Sequence, residues 1–296
     1  MRKIILGTDW WTDCDDAVAL RLISRAVKSG EIELLGIGIN AVMPYSVASL
    51  DGFLTLEGLP RIPLGVDLAA DDFGGEPPYQ KRLSEYAVHY KNNTDAENAV
   101  SLYRRLLAEA DSPVEVIEIG YLQVVSALLT SGPDEYSDKN GLELVKEKVS
   151  RFWVMAGKWD KDGEKENNFC RNPRARRAAR IFCETCPVPV VFLGWEVGHS
   201  VISGSRLMKN DYLYRALCDH GSFDGRSSWD PMLVLLALTG NAEKAGYSLV
   251  KGYASVDEED GKNHFVSDEN GLHAFVVKEK EDGYYRDLID EAIAVS

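Results

Sequence analysis

The feature that most constrains the fold is an apolar run, an aspartate-rich turn and a helical pattern that follow one another at the start of the chain. Residues 4–6 form a short apolar run typical of a buried strand. From residue 15 onward, apolar residues recur at helical spacing, which predicts a helix packed back on a sheet. Four aspartates lie in the turn and at its end: Asp9, Asp13, Asp15 and Asp16.

Four carboxyl groups this close repel one another and raise each other's pKa values unless something offsets their charge. A hard cation such as Ca²⁺ or Mg²⁺ is the simplest compensation, because these ions prefer carboxylate oxygens. Open α/β sheets also bind ligands beyond the carboxyl ends of their strands. Helix capping accounts for one or two of the aspartates, but not for four with two tryptophans among them. The stretch therefore predicts a metal or substrate site.

Charge argues against a nucleic-acid partner. The 296 residues carry a formal net charge of −14, whereas binding to a polyanion needs clustered Lys and Arg. The one basic cluster, residues 171–180, is typical of the solvated face of a helix. The composition thus favours a small-molecule partner over DNA or RNA.

The sequence also predicts a cytoplasmic protein with no membrane partner. No run of about 18 apolar residues is present, and the chain enters its first strand without a signal peptide. Five scattered cysteines do not form a disulfide framework, which favours a reducing compartment.

Further along the chain, apolar strand patterns alternate with helical ones, which predicts βαβ units and a mostly parallel sheet. Polar residues follow successive strands, among them Asn40, Gln123, Lys158 and Glu196. They are expected to converge with the aspartate-rich turn on one crevice. Residues 67–95 are polar and rich in Asp, Gly and Pro, which predicts a long functional loop or flap.

These motifs together resemble the inosine-uridine-preferring nucleoside hydrolases. The resemblance implies an α/β fold with a mixed, mostly parallel sheet flanked by helices, in a single domain over residues 1–296. It also implies a homodimer or homotetramer. The segments that carry it, in chain order, are the DDAVAL helix start at Asp15, Gly38-Ile39-Asn40, Gly120-Tyr121-Leu122, Met155-Ala156-Gly157, Glu166-Asn167-Asn168-Phe169 and Trp229-Asp230-Pro231.

The activity that the resemblance implies is Ca²⁺-dependent hydrolysis of the N-glycosidic bond of a ribonucleoside or related N-riboside. Asp9 would then bind the ion and act as the general base towards water. The other implied ligands are Asp16, Asp230 and the backbone carbonyl of Gln123. The residues implied to hold the substrate are Asp15, Asn40, Glu166 and Asn168.

The chain departs from the family pattern in the first turn. Gly7 stands where the family usually has an additional Asp, and Trp10-Trp11 replace the usual Pro-Gly. The turn is one residue longer if Asp15 and Asp16 align with the family's aspartate pair. Without that insertion, Asp13 would take the place of Asp15.

A second departure concerns the leaving group. Trp229 occupies the position of a histidine that protonates the leaving base in many relatives, and an indole has no useful acidity. Trp229 is instead predicted to stack on the base, with Trp10 or Trp11 as a second aromatic surface.

Two other functions also fit parts of the pattern. A homologue that binds the riboside but has lost catalysis fits the missing histidine, although such a protein has no need of Asp9 as a base. A Mg²⁺-dependent phosphatase also fits an aspartate-rich turn after a first strand. The phosphatase motif DxDx[TV] is absent, however, because Trp11 occupies its second aspartate position.

Overall fold

One sheet runs through the chain in the computed structural model, which describes residues 1–59 and 61–294. Its order in the described residues is β4-β3-β2-β1-β5-β6-β8-β13-β11-β12-β7, with a separate β9-β10 pair. The strands are β1 Arg2–Thr8, β2 Ile32–Ile39, β3 Leu64–Val66, β4 Glu97–Asn98, β5 Val114–Glu118, β6 Val149–Met155, β7 Glu164–Lys165, β8 Val190–Leu193, β9 Ile202–Ser203, β10 Arg226–Ser227, β11 Tyr247–Val256, β12 Lys262–Ser267 and β13 His273–Lys278.

Helices cover both faces of the sheet, so that each face has its own apolar core. The first eight strands in the sheet order pair in parallel, and the last three, which include the tail strands β11 and β12, pair antiparallel. The helices are α1 Asp15–Lys28, α2 Ser46–Leu56, α3 Gln80–Ser84, α4 Ala99–Glu109, α5 Gln123–Thr130, α6 Gly141–Lys148, α7 Asn167–Cys170, α8 Pro173–Thr185, α9 Trp195–Gly198, α10 Tyr212–His220, α11 Trp229–Thr239 and α12 Asp282–Ile293.

The strand order reverses direction at β1, which lies between β2 and β5. Both neighbours are parallel to β1, so the turns that follow β1, β2 and β5 leave the sheet at the same edge. Parallel α/β sheets form their binding crevice at such a switch point. The predicted mixed, mostly parallel sheet is confirmed, and its topology brings the aspartate-rich turn to this crevice.

Two elements differ from the sequence-based expectation. Residues 67–95 are not one structureless loop, because they include α3 and a short 3₁₀ helix at Asn93–Asp95. Helix α6 was not predicted, although its start has a clear signal: Asn140 and Glu143 form a capping box. None of the helices in the described part of the chain has the length and apolar character that a membrane crossing requires.

Candidate functional site

A cavity of about 270 Å³ opens at the carboxyl edge of the sheet. Its size is close to the lower end of the range for small-molecule sites. Acidic, amide and aromatic side chains dominate its walls. The aspartate-rich turn lies here as expected, but Asn40, Gln123, Lys158 and Glu196, which were expected to converge on the same crevice, do not line the cavity. The lining residues are Asp9, Trp11, Thr12, Asp13, Asp15, Asp16, Ile119, Met155, Glu166, Asn167, Asn168, Trp195, Trp229 and Asp230.

Two helix starts meet at the floor of the cavity and bring three carboxyl groups together. Asp15 and Asp16 open α1, and Asp230 lies in the first turn of α11, which packs against α1. Oxygens of the three carboxyl groups all lie within 4.8 Å of one another. The backbone amide of Asp230 donates to Oδ2 of Asp15 at 3.2 Å. Neither Asp15 nor Asp16 is an ordinary N-cap, because the N-cap of α1 is Cys14.

Neither the three clustered carboxyl groups nor that of Asp9 has an ion-pair partner in the described residues. No Lys, Arg or His nitrogen of residues 1–59 or 61–294 forms an ion pair with Asp9, Asp15, Asp16 or Asp230. Burial, and then the charges of neighbouring aspartates, raise the pKa values of all four well above the usual range. A buried cluster of this kind stays ionised only if a cation offsets it, and carboxylate oxygens suit a hard divalent ion. The residues present therefore fit a metal site.

Asp13 lies in the same turn but is held differently. Its two oxygens accept from Arg226 Nε at 2.8 Å and Nη2 at 2.6 Å, and its side chain is one-third exposed. Although burial by itself raises the pKa of Asp13, the bonds from Arg226 lower it overall. The structure thus places Asp15, and not Asp13, with Asp16 and Asp230.

The start of α7 also contributes to the cavity, through Glu166 and Asn168. Glu166 is the N-cap of α7 and accepts from the backbone amides of Asn168, at 2.9 Å, and Gly157, at 3.0 Å. Burial raises the pKa of Glu166 to about 7, although these backbone bonds oppose the shift. The side chain of Asn168 is fixed by the bond that its Nδ2 donates to the Met155 carbonyl at 2.9 Å. Both predicted polar contacts therefore reach the cavity.

Three tryptophans form its aromatic wall: Trp11, Trp195 and Trp229. Trp229 Nε1 donates to the Trp195 carbonyl at 2.8 Å, and the two rings lie 6.4 Å apart. Trp11 Nε1 donates to the carbonyl of Gly74 at 2.6 Å, which ties the 67–95 segment to the cavity. Trp195 was not predicted from the sequence.

Trp10 does not belong to this wall. Its side chain is fully buried in the core against Phe53 and Tyr79, and its Nε1 donates to Ser49 at 2.8 Å. Of the two tryptophans considered as partners of Trp229, only Trp11 faces the cavity. Trp10 also has a positive φ of 42°, a strained conformation that concentrates at functional turns.

The sequence by itself matches no protein-family model and no curated protein. Solved structures do match over nearly the whole chain. An inosine-uridine preferring nucleoside hydrolase from Bacillus anthracis superposes with a TM-score of 0.70 at 12% identity and covers 99% of both chains. A purine-preferring ribonucleoside hydrolase from Gardnerella vaginalis gives 0.68 at 19% identity, over 99% of this chain and 98% of the other. The chain has the nucleoside hydrolase fold.

A third structure with this nucleoside hydrolase fold is the type III effector protein XopQ, solved in complex with adenosine diphosphate ribose. It superposes with a TM-score of 0.67 at 14% identity and covers 99% of this chain and 93% of its own. At these identities the similarity establishes the fold, and the chemistry has to be argued from the residues of the cavity.

Two residues implied by the resemblance lie behind the cavity wall of this nucleoside hydrolase fold. Asn40 is fully buried: its Nδ2 donates to Glu118 at 2.7 Å, and its Oδ1 accepts from the Tyr121 amide at 2.9 Å. The Gln123 side chain donates through Nε2 to the Asn40 carbonyl. Neither side chain is among the residues that line the cavity. Their contacts couple the turns after β2 and β5.

Glu118, the last residue of β5, was missed by the sequence analysis. It is fully buried, and its Oε2 has no hydrogen-bond partner among the described residues. Burial raises the pKa of the Glu118 carboxyl well above its usual range, with only the Asn40 bond opposing the shift. A glutamate between the apolar residues Ile117 and Ile119, at the carboxyl end of a predicted strand, was the available signal.

Proposed function

We propose that the chain is a Ca²⁺-dependent N-ribohydrolase that cleaves the N-glycosidic bond of a ribonucleoside or related N-riboside to release base and ribose. The observation that carries the proposal is the group of four buried, unneutralised aspartates at the floor of a cavity with an aromatic wall. The nucleoside hydrolase fold supports it.

In this proposal Asp16 and Asp230 hold the ion, together with Asp9 and the backbone carbonyl of Gln123. Asp16 is already oriented, because its Oδ1 accepts from the Thr8 hydroxyl and from the Trp10 amide at 3.3 Å. A bound Ca²⁺ would offset the aspartate charges and polarise the oxygens of substrate and solvent that it touches.

Asp9 acts as the general base. Its carboxyl group lies in the cavity beside the aspartate cluster, where it can accept a proton from the water that attacks the anomeric carbon. Cleavage of a glycosidic bond passes through a transition state with oxocarbenium character. The surrounding carboxylates stabilise the positive charge that develops on the ribose ring.

In this proposal, ribose hydroxyls are held by Asp15, Glu166 and Asn168, which all line the cavity. The backbone and side-chain bonds of Glu166 and Asn168 keep these groups in place before the substrate enters. Such preorganisation reduces the entropic cost of aligning the anomeric carbon with the attacking water. Asn40 orients the turn behind the site.

The leaving group is an aromatic base that stacks on the tryptophan wall. Trp229 is only partly buried and faces the cavity, so its ring is available to a ligand. Stacking of a base on an aromatic side chain contributes about 1–3 kcal/mol in other proteins. The guanidinium carbon of Arg226 lies 5.3 Å from the centre of the Trp229 ring. This cation–π contact supports the orientation of the ring.

One observation favours a second function, that of a riboside-binding protein without turnover. No His, Lys or Arg of the described residues lines the cavity, so it offers no cationic group that could protonate a leaving base. In the hydrolase proposal the base takes its proton from solvent, which suits purines.

The decisive experiment measures reducing-sugar release from a panel of purine and pyrimidine ribonucleosides, with Ca²⁺ and with a chelator. We expect chelator-sensitive release with a preference for purines. The variant D9N should lower kcat by about 10²–10⁴-fold, the usual contribution of a general base. Calorimetric binding of Ca²⁺ and of a nucleoside without any release would replace the hydrolase with the binding function.

A further inference from the structure

We propose that Glu118 is a positioning residue of this site, and that Gly7 is the residue that makes room for it. The Glu118 carboxyl group fixes the Asn40 amide, and through it the two turns that carry Asp9 and Gln123. This inference rests on the proposed function for its kinetic consequences, but its geometry is independent of the reaction.

Glu118 and Gly7 are direct neighbours in the sheet. They pair in register across β5 and β1, so that their side chains would share one face. A Cβ atom on Gly7 would overlap the Glu118 carboxyl group, since all three of its nearest atoms belong to that group. The missing side chain of Gly7 is therefore the space that the Glu118 carboxyl group fills.

From this position the carboxyl group reaches Asn40. Oε1 of Glu118 accepts from Asn40 Nδ2 at 2.7 Å. The backbone amide of Asn40 donates to the carbonyl of Thr8 at 2.9 Å. Asn40 Oδ1 in turn accepts from Tyr121, and the Asn40 carbonyl accepts from Gln123. The Asn40 residue, held by Glu118, thus connects the end of β1, just before Asp9, to the turn that carries Gln123.

The packing around Asn40 leaves little tolerance. A Cβ atom on Gly120 would overlap both the Asp9 amide and Asn40 Oδ1, so Asn40 lies directly against the start of the aspartate-rich turn. A displaced Asn40 would shift the Thr8 carbonyl, to which its backbone amide donates, and with it the adjacent Asp9. The route from Glu118 to Asp9 runs through adjacent groups in contact.

A glutamate at position 118 lowers the stability of the folded protein if its role is only structural. Its side chain is fully buried without a cationic partner in the described chain, and Oε2 is unsatisfied. An unpaired buried polar group costs free energy that an apolar residue of the same size avoids. The bond to Asn40 gives this carboxyl group a role that an apolar residue cannot fill.

The first test compares two variants of matched volume, E118Q and E118M. Glutamine retains an oxygen that accepts from Asn40, whereas methionine fills the space without an acceptor. We expect E118M to weaken calorimetric Ca²⁺ binding and to lower kcat/KM by about 10–100-fold, the usual effect of removing an outer-shell partner. E118Q should lose far less. Equal values for E118M and the unmodified protein would overturn the proposal.

The second test moves the carboxyl group to the other strand. In the E118A background, G7D projects a carboxyl group into the vacated space, whereas G7A adds only a methyl group. We expect G7D/E118A to recover Ca²⁺ affinity and kcat/KM relative to E118A, and G7A/E118A to recover thermal stability at most. Equal recovery by both double variants would show that the position needs only volume, which contradicts a positioning role.

These measurements separate the two proposals. If the unmodified protein releases no sugar from any riboside, the hydrolase proposal fails, but the Ca²⁺ affinities of the variants still decide the role of Glu118. If sugar is released and E118M behaves as the unmodified protein in both assays, only the positioning role fails.

Discussion

Helix α1 carries two buried charge clusters that differ in how their charge is balanced. At its first turn, Asp15 and Asp16 face Asp230 without a cation. Further along the same helix, Arg21 is 1% exposed and is bonded on both sides by carboxylates. Its guanidinium donates to Glu57 at 2.7 Å and to both oxygens of Asp211, at 2.6 and 2.9 Å.

The difference teaches how to tell a structural cluster from a ligand site. Burial by itself lowers the pKa of Arg21, but the bonds to Asp211 and Glu57 raise it overall, so the cluster stays charged and complete within the protein. The pKa values of Asp15, Asp16 and Asp230 are raised because burial and mutual repulsion outweigh the hydrogen bonds and the more distant Arg226, and none of these aspartates has an ion-pair partner in the described residues. A buried charge that the fold leaves unbalanced points to a partner from outside.

The largest expected effect is a loss of stability when the balanced cluster of Arg21, Glu57 and Asp211 loses its arginine. R21M leaves Asp211 buried without its cation and leaves Glu57 with only the partly exposed Lys28, at 3.4 Å. Breaking a buried ion pair costs about 3–5 kcal/mol of unfolding free energy. Urea unfolding measures the loss. Because Arg21 is not a cavity residue, Ca²⁺ affinity of the folded variant should change by less than about twofold.

The matched control for this prediction is R25M on the same helix. Arg25 is half-buried and donates to the Ile293 and Ala294 carbonyls, and it has no carboxylate partner in the described residues. Its loss should cost less than about 1 kcal/mol. Similar losses for R21M and R25M would remove the distinction between the two clusters.

The second-largest expected effect is a loss of Ca²⁺ affinity when the unbalanced cluster of Asp15, Asp16 and Asp230 is changed. D230N keeps the shape of the side chain but removes one of the three converging charges, and we expect Ca²⁺ affinity to fall about 100-fold, or ~2.7 kcal/mol. Without Ca²⁺ the variant should be at least as stable as the unmodified protein, because repulsion is relieved. A clear loss of stability without Ca²⁺ would mean that the cluster is structural after all.

The pH dependence of stability provides a smaller effect with a definite sign. The raised pKa values of Asp9, Asp15, Asp16 and Asp230 mean that the ion-free folded state binds more protons than the unfolded state above the ordinary carboxyl pKa of about 3.9. These groups therefore reduce stability as the pH rises from that value towards the raised ones. In the proposed complex, Ca²⁺ would bind the deprotonated carboxylates and remove this penalty.

We thus expect the Ca²⁺-induced rise in Tm to be larger at about pH 8 than at about pH 5, with each kcal/mol worth about 2 °C. Scanning calorimetry with Ca²⁺ and with a chelator measures it, and D230N should show a weaker dependence on pH. A rise of the same size at both pH values would contradict the assignment of Ca²⁺ to these carboxylates.

The smallest effect concerns Asp13, which is paired with Arg226 but partly exposed. D13N should cost about 1 kcal/mol or less, because water already screens much of the interaction. Its Ca²⁺ affinity should change far less than that of D230N. Similar losses in the two variants would place Asp13 in the metal site together with Asp230.

Much of the fold was predictable because its signals are local. The alternation of strand and helix patterns and the polar residues after the strands correctly indicated a mostly parallel sheet with a crevice at its carboxyl edge. The site was predictable in part: Asp9, Asp16 and Asp230 line the cavity, with Asp15, Glu166, Asn168 and Trp229. The oligomeric state, the single domain and the cytoplasmic location stay predictions.

What could not be predicted involves side chains whose role depends on distant neighbours. Trp10 and Trp11 are adjacent and chemically identical, yet one is in the core and the other faces the cavity. Asp15 was predicted in the site, with Asp13 as the alternative if the turn has no insertion, and only the pairing of Asp13 with Arg226, 213 residues away, distinguishes the two. Glu118 gained a role only beside Gly7.

The sequence by itself determined the elements, their order and the residue types at the ends of the strands. Backbone conformation and burial pattern depend on residues a few positions apart, so those signals are present in the chain itself. Only the tertiary structure decided which charges are balanced and which are not. That balance depends on distances between residues far apart in the chain, such as Asp15 and Asp230, which the packing of α1 against α11 brings into contact.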